Sequence, residues 1–161
     1  MGKIKYRYCD SCVFLAYFNN EPDRAPILNQ LFRIIEDDPE TKLITSTFTI
    51  AEVTHTQREY SQRRLNPEIE RQLDEFWAND DLLEIVDFHE MIAKEARRLV
   101  RFAVSKGFGL KPPDATHLAT AKLIGVLDFL TYDDLRRYSE EVGFPIVIPY
   151  VEQPQLPGIE D

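Results

Sequence analysis

Short apolar runs and amphipathic segments alternate along this 161-residue sequence, and the alternation leaves few architectures open. The runs at residues 4–8, 43–45, 82–86, 128–131 and 145–149 are rich in Ile, Val, Leu, Phe and Tyr. They carry too few polar positions to face water on one side. Between them, residues 25–37 repeat Ile27, Leu28, Leu31, Phe32, Ile34 and Ile35 at a 3.6-residue period, and residues 89–104 do the same with Ile92, Ala96, Leu99, Val100 and Ala103. A helix over 48–64 is expected from the cap-like Ser46 and Thr47. Asn66-Pro67-Glu68 opens another helix, and Pro112-Pro113-Asp114 a third that stops near Gly125. A small helix over 135–142 ends at Gly143. Strands of this kind joined by helices predict a three-layer α/β/α sandwich around a central parallel sheet. Residues 1–150 are expected to form a single domain, and the Pro-rich, acidic end at 151–161 a loose tail.

Open parallel sheets place their sites beyond the carboxyl ends of the strands. Acidic residues stand at those ends. Asp10 follows the first run, Glu52 lies on the helix after the second, Asp114 opens the helix behind the Gly-rich loop, and Asp133 follows the fourth run with Asp134 beside it. Singly, Asp10, Asp114 and Asp133 each read as a helix cap or first-turn acid. Glu52, between Ile50 and Val53 near an apolar face, has no such role, because a lone charge there is costly. Taken together the four predict one pocket whose mutual repulsion is relieved by a hard divalent cation, Mg²⁺ or Mn²⁺. Such a pocket suits hydrolysis of a phosphodiester. Ser11 and Thr131, each beside an acid, are placed to orient a carboxylate or a water.

Two other readings compete. Cys9 and Cys12 have the spacing of half a zinc knuckle, but two cysteines and three scattered histidines supply no second half, so both are read as small core residues. The pairs Glu52/His55 and Asp114/His117 have the acid-to-His spacing of a di-iron bundle, which the recurring strands oppose. His117 is left as a packed or substrate-near residue and His55 as a helix-surface one.

Charge limits the partners. Nineteen Lys and Arg against 28 Asp and Glu give a net charge of −9, so nucleic acid cannot be gripped by a broad basic face. Local contacts remain, and Lys106 and Lys111 lead straight into Asp114. No apolar run reaches membrane-spanning length and the N-terminus lacks a signal-peptide pattern, from which no membrane association and a cytoplasmic location are expected.

Four segments also resemble a known family. Residues 8–15 (Tyr-Cys-Asp-Ser-Cys-Val-Phe-Leu), 47–53 (Thr-Phe-Thr-Ile-Ala-Glu-Val), 113–121 (Pro-Asp-Ala-Thr-His-Leu-Ala-Thr-Ala) and 130–135 (Leu-Thr-Tyr-Asp-Asp-Leu) look like the four acidic signatures of the PIN domain, in the family's order. The third and fourth are the more specific. The resemblance implies a metal-dependent endoribonuclease in which Asp10, Glu52, Asp114 and Asp133 surround Mg²⁺ or Mn²⁺. Asp134 would be able to stand in for Asp133. It further implies an RNA substrate, a VapC-type toxin silenced by an antitoxin protein, and a homodimer. Cys12 departs from the small polar residue the family often has there. The other reading of the same likeness is a PIN-like module that binds RNA or acts as a scaffold with little or no catalysis.

Overall fold

The computed structural model describes residues 2–152, so most of the acidic tail expected at 151–161 lies outside the described residues. Among these residues five parallel strands form one sheet in the order β3-β2-β1-β4-β5. The strands are β1 (Lys5–Cys9), β2 (Thr41–Ser46), β3 (Leu83–Val86), β4 (Asp128–Leu130) and β5 (Ile146–Val147). Helices α1 (Ser11–Phe18), α2 (Ala25–Asp37), α3 (Thr47–Glu52), α4 (Gln57–Gln62), α5 (Pro67–Trp77), α6 (Glu90–Ser105), α7 (Pro112–Ile124) and α8 (Ser139–Val142) complete the chain.

Side chains on a strand alternate between faces, and here that alternation builds two cores. Tyr8, Ile44 and Phe129 point to one face, where Ile92, Leu99, Leu118 and Tyr138 cover them. Cys9, Leu43 and Leu130 point to the other, under Val13, Phe14, Leu28, Phe32 and Ile35. The expected three-layer sandwich is therefore present. Arg7 and Asp128 form a paired fork across β1 and β4 at 2.9 Å per bond, which ties the centre of the sheet together.

The chain leaves β1 for β2 and β3 on one side, then returns to β4 and β5 on the other. The order reverses between β1 and β4, which is where open parallel sheets place a crevice at the carboxyl ends of their strands.

Three elements differ from the sequence expectation. The helix over 48–64 is two helices, α3 and α4, separated at residues 53–56. Thr56 starts α4 with a capping box: its hydroxyl accepts from the Glu59 N–H, and the Glu59 carboxylate accepts from the Thr56 N–H. That reciprocal pair, after the β-branched Val53 and Thr54, outweighs continuing one helix. The helix over 135–142 begins as a 3₁₀ turn, Arg136–Tyr138, and only Ser139–Val142 is α-helical. The last strand is limited to Ile146–Val147 because the flanking Pro145 and Pro149 have no N–H to give a ladder.

Candidate metal centre

The crevice is assembled from the ends of β1 and β4 and from α3 and α7. Asp10, the residue after β1, is the N-cap of α1 and is 1% exposed. Its Oδ1 accepts the Ser11 N–H at 2.8 Å, and its Oδ2 accepts the Thr131 hydroxyl at 2.8 Å. The Asp10 N–H donates to the Leu130 carbonyl at 3.0 Å, which continues the β1–β4 ladder into the site. Asp10 is thus the helix cap its position predicts and also a buried acid at the centre of the site.

Thr131 links a second acid to the first. Its Oγ1 accepts the Asp133 N–H at 3.0 Å, so the turn after β4 is folded around the same hydroxyl that holds Asp10. Potential ligand atoms of Asp10, Cys12 and Asp133 lie within 4.8 Å of one another. Asp133 is exposed as a residue, but partial burial of its carboxyl, then the negative charge of Asp10, pushes that group above the ordinary range.

Glu52 is the last residue of α3. That short helix is capped by Ser46, whose oxygen accepts the Phe48 N–H at 3.1 Å, and is pinned to β2 by a 2.7 Å bond between Thr45 and Thr49. Glu52 Oε1 lies 2.5 Å from His117 Nε2, and Asp10 Oδ1 lies 3.7 Å from the same nitrogen. His117 therefore stands between two of the acids. Burial alone would lower its pKa, but the Glu52 hydrogen bond and the Asp10 charge outweigh that and raise it.

Asp114 sits in the first turn of α7, one turn before His117. Half-buried, it is pushed up to about 6 by burial first and then by the negative charges of Asp10 and Asp133, with Glu52 adding to them. A carboxyl at a helix N-terminus normally ionises more easily, so burial and the neighbouring acids together win over the dipole. The four carboxylates predicted from the sequence are within one another's electrostatic reach. Among the described residues, no Lys or Arg forms an ion pair with any of them. Glu52 and Asp114 lie outside the close group that Asp10, Asp133 and the Cys12 sulfur form among the described residues. The carboxylates are hard oxygen donors with excess negative charge, which fits a divalent cation of the Mg²⁺ or Mn²⁺ class.

The remaining predicted residues are placed variously. Ser11 contributes its N–H and a longer hydroxyl contact of 3.5 Å to Asp10. Asp134 is exposed and makes no side-chain hydrogen bond among the described residues. Lys106 and Lys111 are both exposed, one at the end of α6 and the other at the N-cap of α7, three residues before Asp114.

Cys12 packs partly buried against the apolar layer, as expected, and also faces the site. Its sulfur lies 3.6 Å from Asp10 Oδ2 and 3.3 Å from Thr131 Oγ1, and accepts the Tyr132 N–H at 3.3 Å. Burial, then the Asp10 charge, pushes the thiol up to about 12, so it stays protonated. Cys9 lies in the core as expected. His55 is exposed in the α3–α4 linker and stacks on Tyr60 at 5.6 Å, away from the role a di-iron pair would need. Arg24 was invisible to sequence reasoning: its guanidinium lies 3.9 Å from the centre of the Tyr132 ring and its charge acts on Asp133.

This arrangement, acids after β1 and β4 and on the helices after β2 and β3, meets its family here. The family model of the PIN domain matches residues 7–140, and the chain belongs to the PIN domain family. None of the curated proteins matches the sequence. Among solved structures the fold is similar to that of VapBC2 from Rickettsia felis bound to a DNA fragment from its promoter. That match is 17% identical, covers 89% of this chain and 98% of the other, and has a TM-score of 0.65. It is also similar to VapC20 of Mycobacterium tuberculosis, described as a sarcin-ricin loop cleaving toxin, at 15% identity, 89% and 99% coverage and a TM-score of 0.63. A third similar structure is FitAcB of Neisseria gonorrhoeae, at 20% identity, 89% and 97% coverage and a TM-score of 0.61.

Proposed function

We propose that residues 1–150 form one nuclease domain that hydrolyses RNA phosphodiester bonds with Mg²⁺ or Mn²⁺ held among Asp10, Glu52, Asp114 and Asp133. The observation that carries this reading is the meeting of these carboxylates without a Lys or Arg ion-pair partner among the described residues, which is costly unless a cation joins them. An ion held there would stabilise charge developing at phosphorus and lower the pKa of a bound water.

The chain's own residues would divide the remaining work. Asp10 is the rigid donor, because Ser11 and Thr131 fix both of its oxygens and leave further lone pairs free. Asp114 and Asp133 have more access to solvent and would meet the incoming phosphate and orient its water. Asp134, next in the chain, is proposed as support for that turn or as a replacement donor. Lys106 and Lys111 would contact phosphates flanking the scissile bond, the local grip that a chain of net charge −9 requires. Products would carry a 5′-phosphate.

The chain is further proposed to be the toxin of a toxin-antitoxin pair, acting in the cytoplasm as a homodimer and held silent by an antitoxin protein. Support comes from a similar structure described as a toxin-antitoxin complex from Klebsiella pneumoniae, at 21% identity and a TM-score of 0.55. The description of VapC20 as a sarcin-ricin loop cleaving toxin supports RNA as the substrate class. No helix among the described residues is long and apolar enough to cross a membrane.

The test is degradation of total RNA by the full chain with Mn²⁺, against Asp10→Asn. Asn still caps α1 and still bonds Thr131, so the variant should fold, while losing at least about a hundredfold in rate. Full activity in Asp10→Asn, or in excess EDTA, would remove the proposed metal site, and no cleavage by the wild-type chain with Mn²⁺ would leave the RNA-binding or scaffold module.

A further inference from the structure

We propose that His117 is a positioning residue for the Glu52 carboxylate and that Tyr8 positions His117 in turn, so that a buried hydroxyl on the central strand sets the orientation of one oxygen donor of the ion site. This rests on the assignment of Glu52 to that site.

Both ring nitrogens of His117 are engaged. Nδ1 lies 2.7 Å from the Tyr8 hydroxyl, and Nε2 lies 2.5 Å from Glu52 Oε1. A neutral imidazole has one donor and one acceptor, and the two contacts sort them. Glu52 can only accept, so Nε2 carries the proton; Nδ1 is then the acceptor and receives the Tyr8 O–H. Tyr8 is fully buried, and burial first, then the Asp10 charge, keeps its hydroxyl protonated despite the nearby Thr45 and Thr120 side chains, which suits the donor role. One tautomer satisfies every group in the chain, with no charge required on the ring.

The post itself is rigid. His117 is 1% exposed, with Phe48 and Tyr8 rings at 5.8 Å on two sides. Tyr8 is stacked on Phe129 at 4.9 Å with an interplanar angle of 6°, and Phe129 on Phe144 at 6.0 Å. Glu52 is the opposite case. It ends a six-residue helix and is followed by irregular chain, so its own backbone does little to fix its rotamer. The contact to His117 supplies what α3 lacks. Asp114 and His117 are three apart on α7, so one face of that helix presents an acid directly and holds a second acid from elsewhere in the chain.

The experiment is a Mn²⁺ titration of the full chain by calorimetry, with no RNA present. Partners that orient a ligand from behind are worth 10- to 100-fold in metal affinity, so His117→Ala should lose at least tenfold. His117→Gln, which offers an N–H near the place of Nε2, should stay within about threefold of the wild type. Tyr8→Phe keeps the ring stack and removes one hydroxyl, and should lose about three- to tenfold. Because His117 acts through Glu52, the double variant His117→Ala/Glu52→Gln should bind no more weakly than Glu52→Gln alone. A general structural defect would add to the Glu52 loss instead.

A folded His117→Ala that binds Mn²⁺ within twofold of the wild type overturns the proposal. If His117→Ala does not fold, Tyr8→Phe decides, and unchanged affinity there overturns it equally. Glu52→Gln separates the two levels: if it binds like the wild type, the assignment of Glu52 to the ion site has failed. If it loses affinity while the His117 and Tyr8 variants do not, only the relay has failed.

Discussion

Asp114 shows how this site sets stability against chemistry. Its carboxyl is raised from 3.8 to about 6 by burial and by Asp10 and Asp133. Between those two values the folded chain holds a proton that the unfolded chain has released. Stability without metal therefore falls as pH rises through that window and stays low above it. The full shift would correspond to about 3 kcal/mol, and since the group is half exposed about 1–2 kcal/mol is the fitting figure. Asp114→Asn is accordingly expected to stabilise the metal-free chain by about that amount at pH 7 and by almost nothing near pH 4. Thermal melts in EDTA at the two pH values check this; equal effects at both would show that Asp114 is not strained by its neighbours. Asp10 and Asp133 were legible in the sequence because each follows a strand and a parallel sheet sends strand ends to one rim. Glu52 was legible because a lone charge near an apolar face is costly, and Asp114 because it opens a helix behind the Gly-rich loop. The contacts that Cys12 and His117 make with those acids were not. Cys12 reaches Asp10 and Thr131 from the first turn of α1, and His117 reaches Glu52 across 65 positions of sequence.

At the scale of elements, legibility follows the strength of the local pattern. The range 25–37 is α2 as observed, since its apolar period is unbroken and Asp38-Pro39 stops it. The range 48–64 contains two helices, and the sign was present in Thr56 and Glu59, three residues apart, as a capping box. It was hidden because helix-compatible residues continue on both sides. Glu59 then holds more than its own helix, since its Oε2 also accepts the Asn66 N–H at 2.8 Å, ahead of α5. The Asn66 and Thr56 backbone donors pull its carboxyl below the ordinary range, so its contribution is present above about pH 4.5 and is lost as pH falls through the lowered value. Glu59→Ala should cost about 1–2 kcal/mol at pH 7, read from urea unfolding, by leaving backbone donors of two helices unpaired. A cost below about 0.3 kcal/mol would mean that the break between α3 and α4 is fixed by something other than this box.

For the whole molecule, the sheet order explains the location of the site. With β1 central and its neighbours β2 and β4 reached in opposite directions, the ends of β1 and β4 frame an opening where Asp10 and Thr131 meet. Apolar runs alone predicted a sandwich with such an opening; they did not say which pair of strands would frame it, because strand order is decided by crossovers that no local pattern records. The net charge of −9 is then partly a consequence of the site, which concentrates acids that no Lys or Arg ion pair relieves among the described residues. The most direct measurement is anomalous diffraction from crystals of the full chain grown with Mn²⁺. A peak bounded by the carboxylates of Asp10, Asp114 and Asp133, with Glu52 at its edge, is the predicted result. Crystals whose ion peaks all lie elsewhere, with these carboxylates bare or bridged by lysine or arginine, would contradict it.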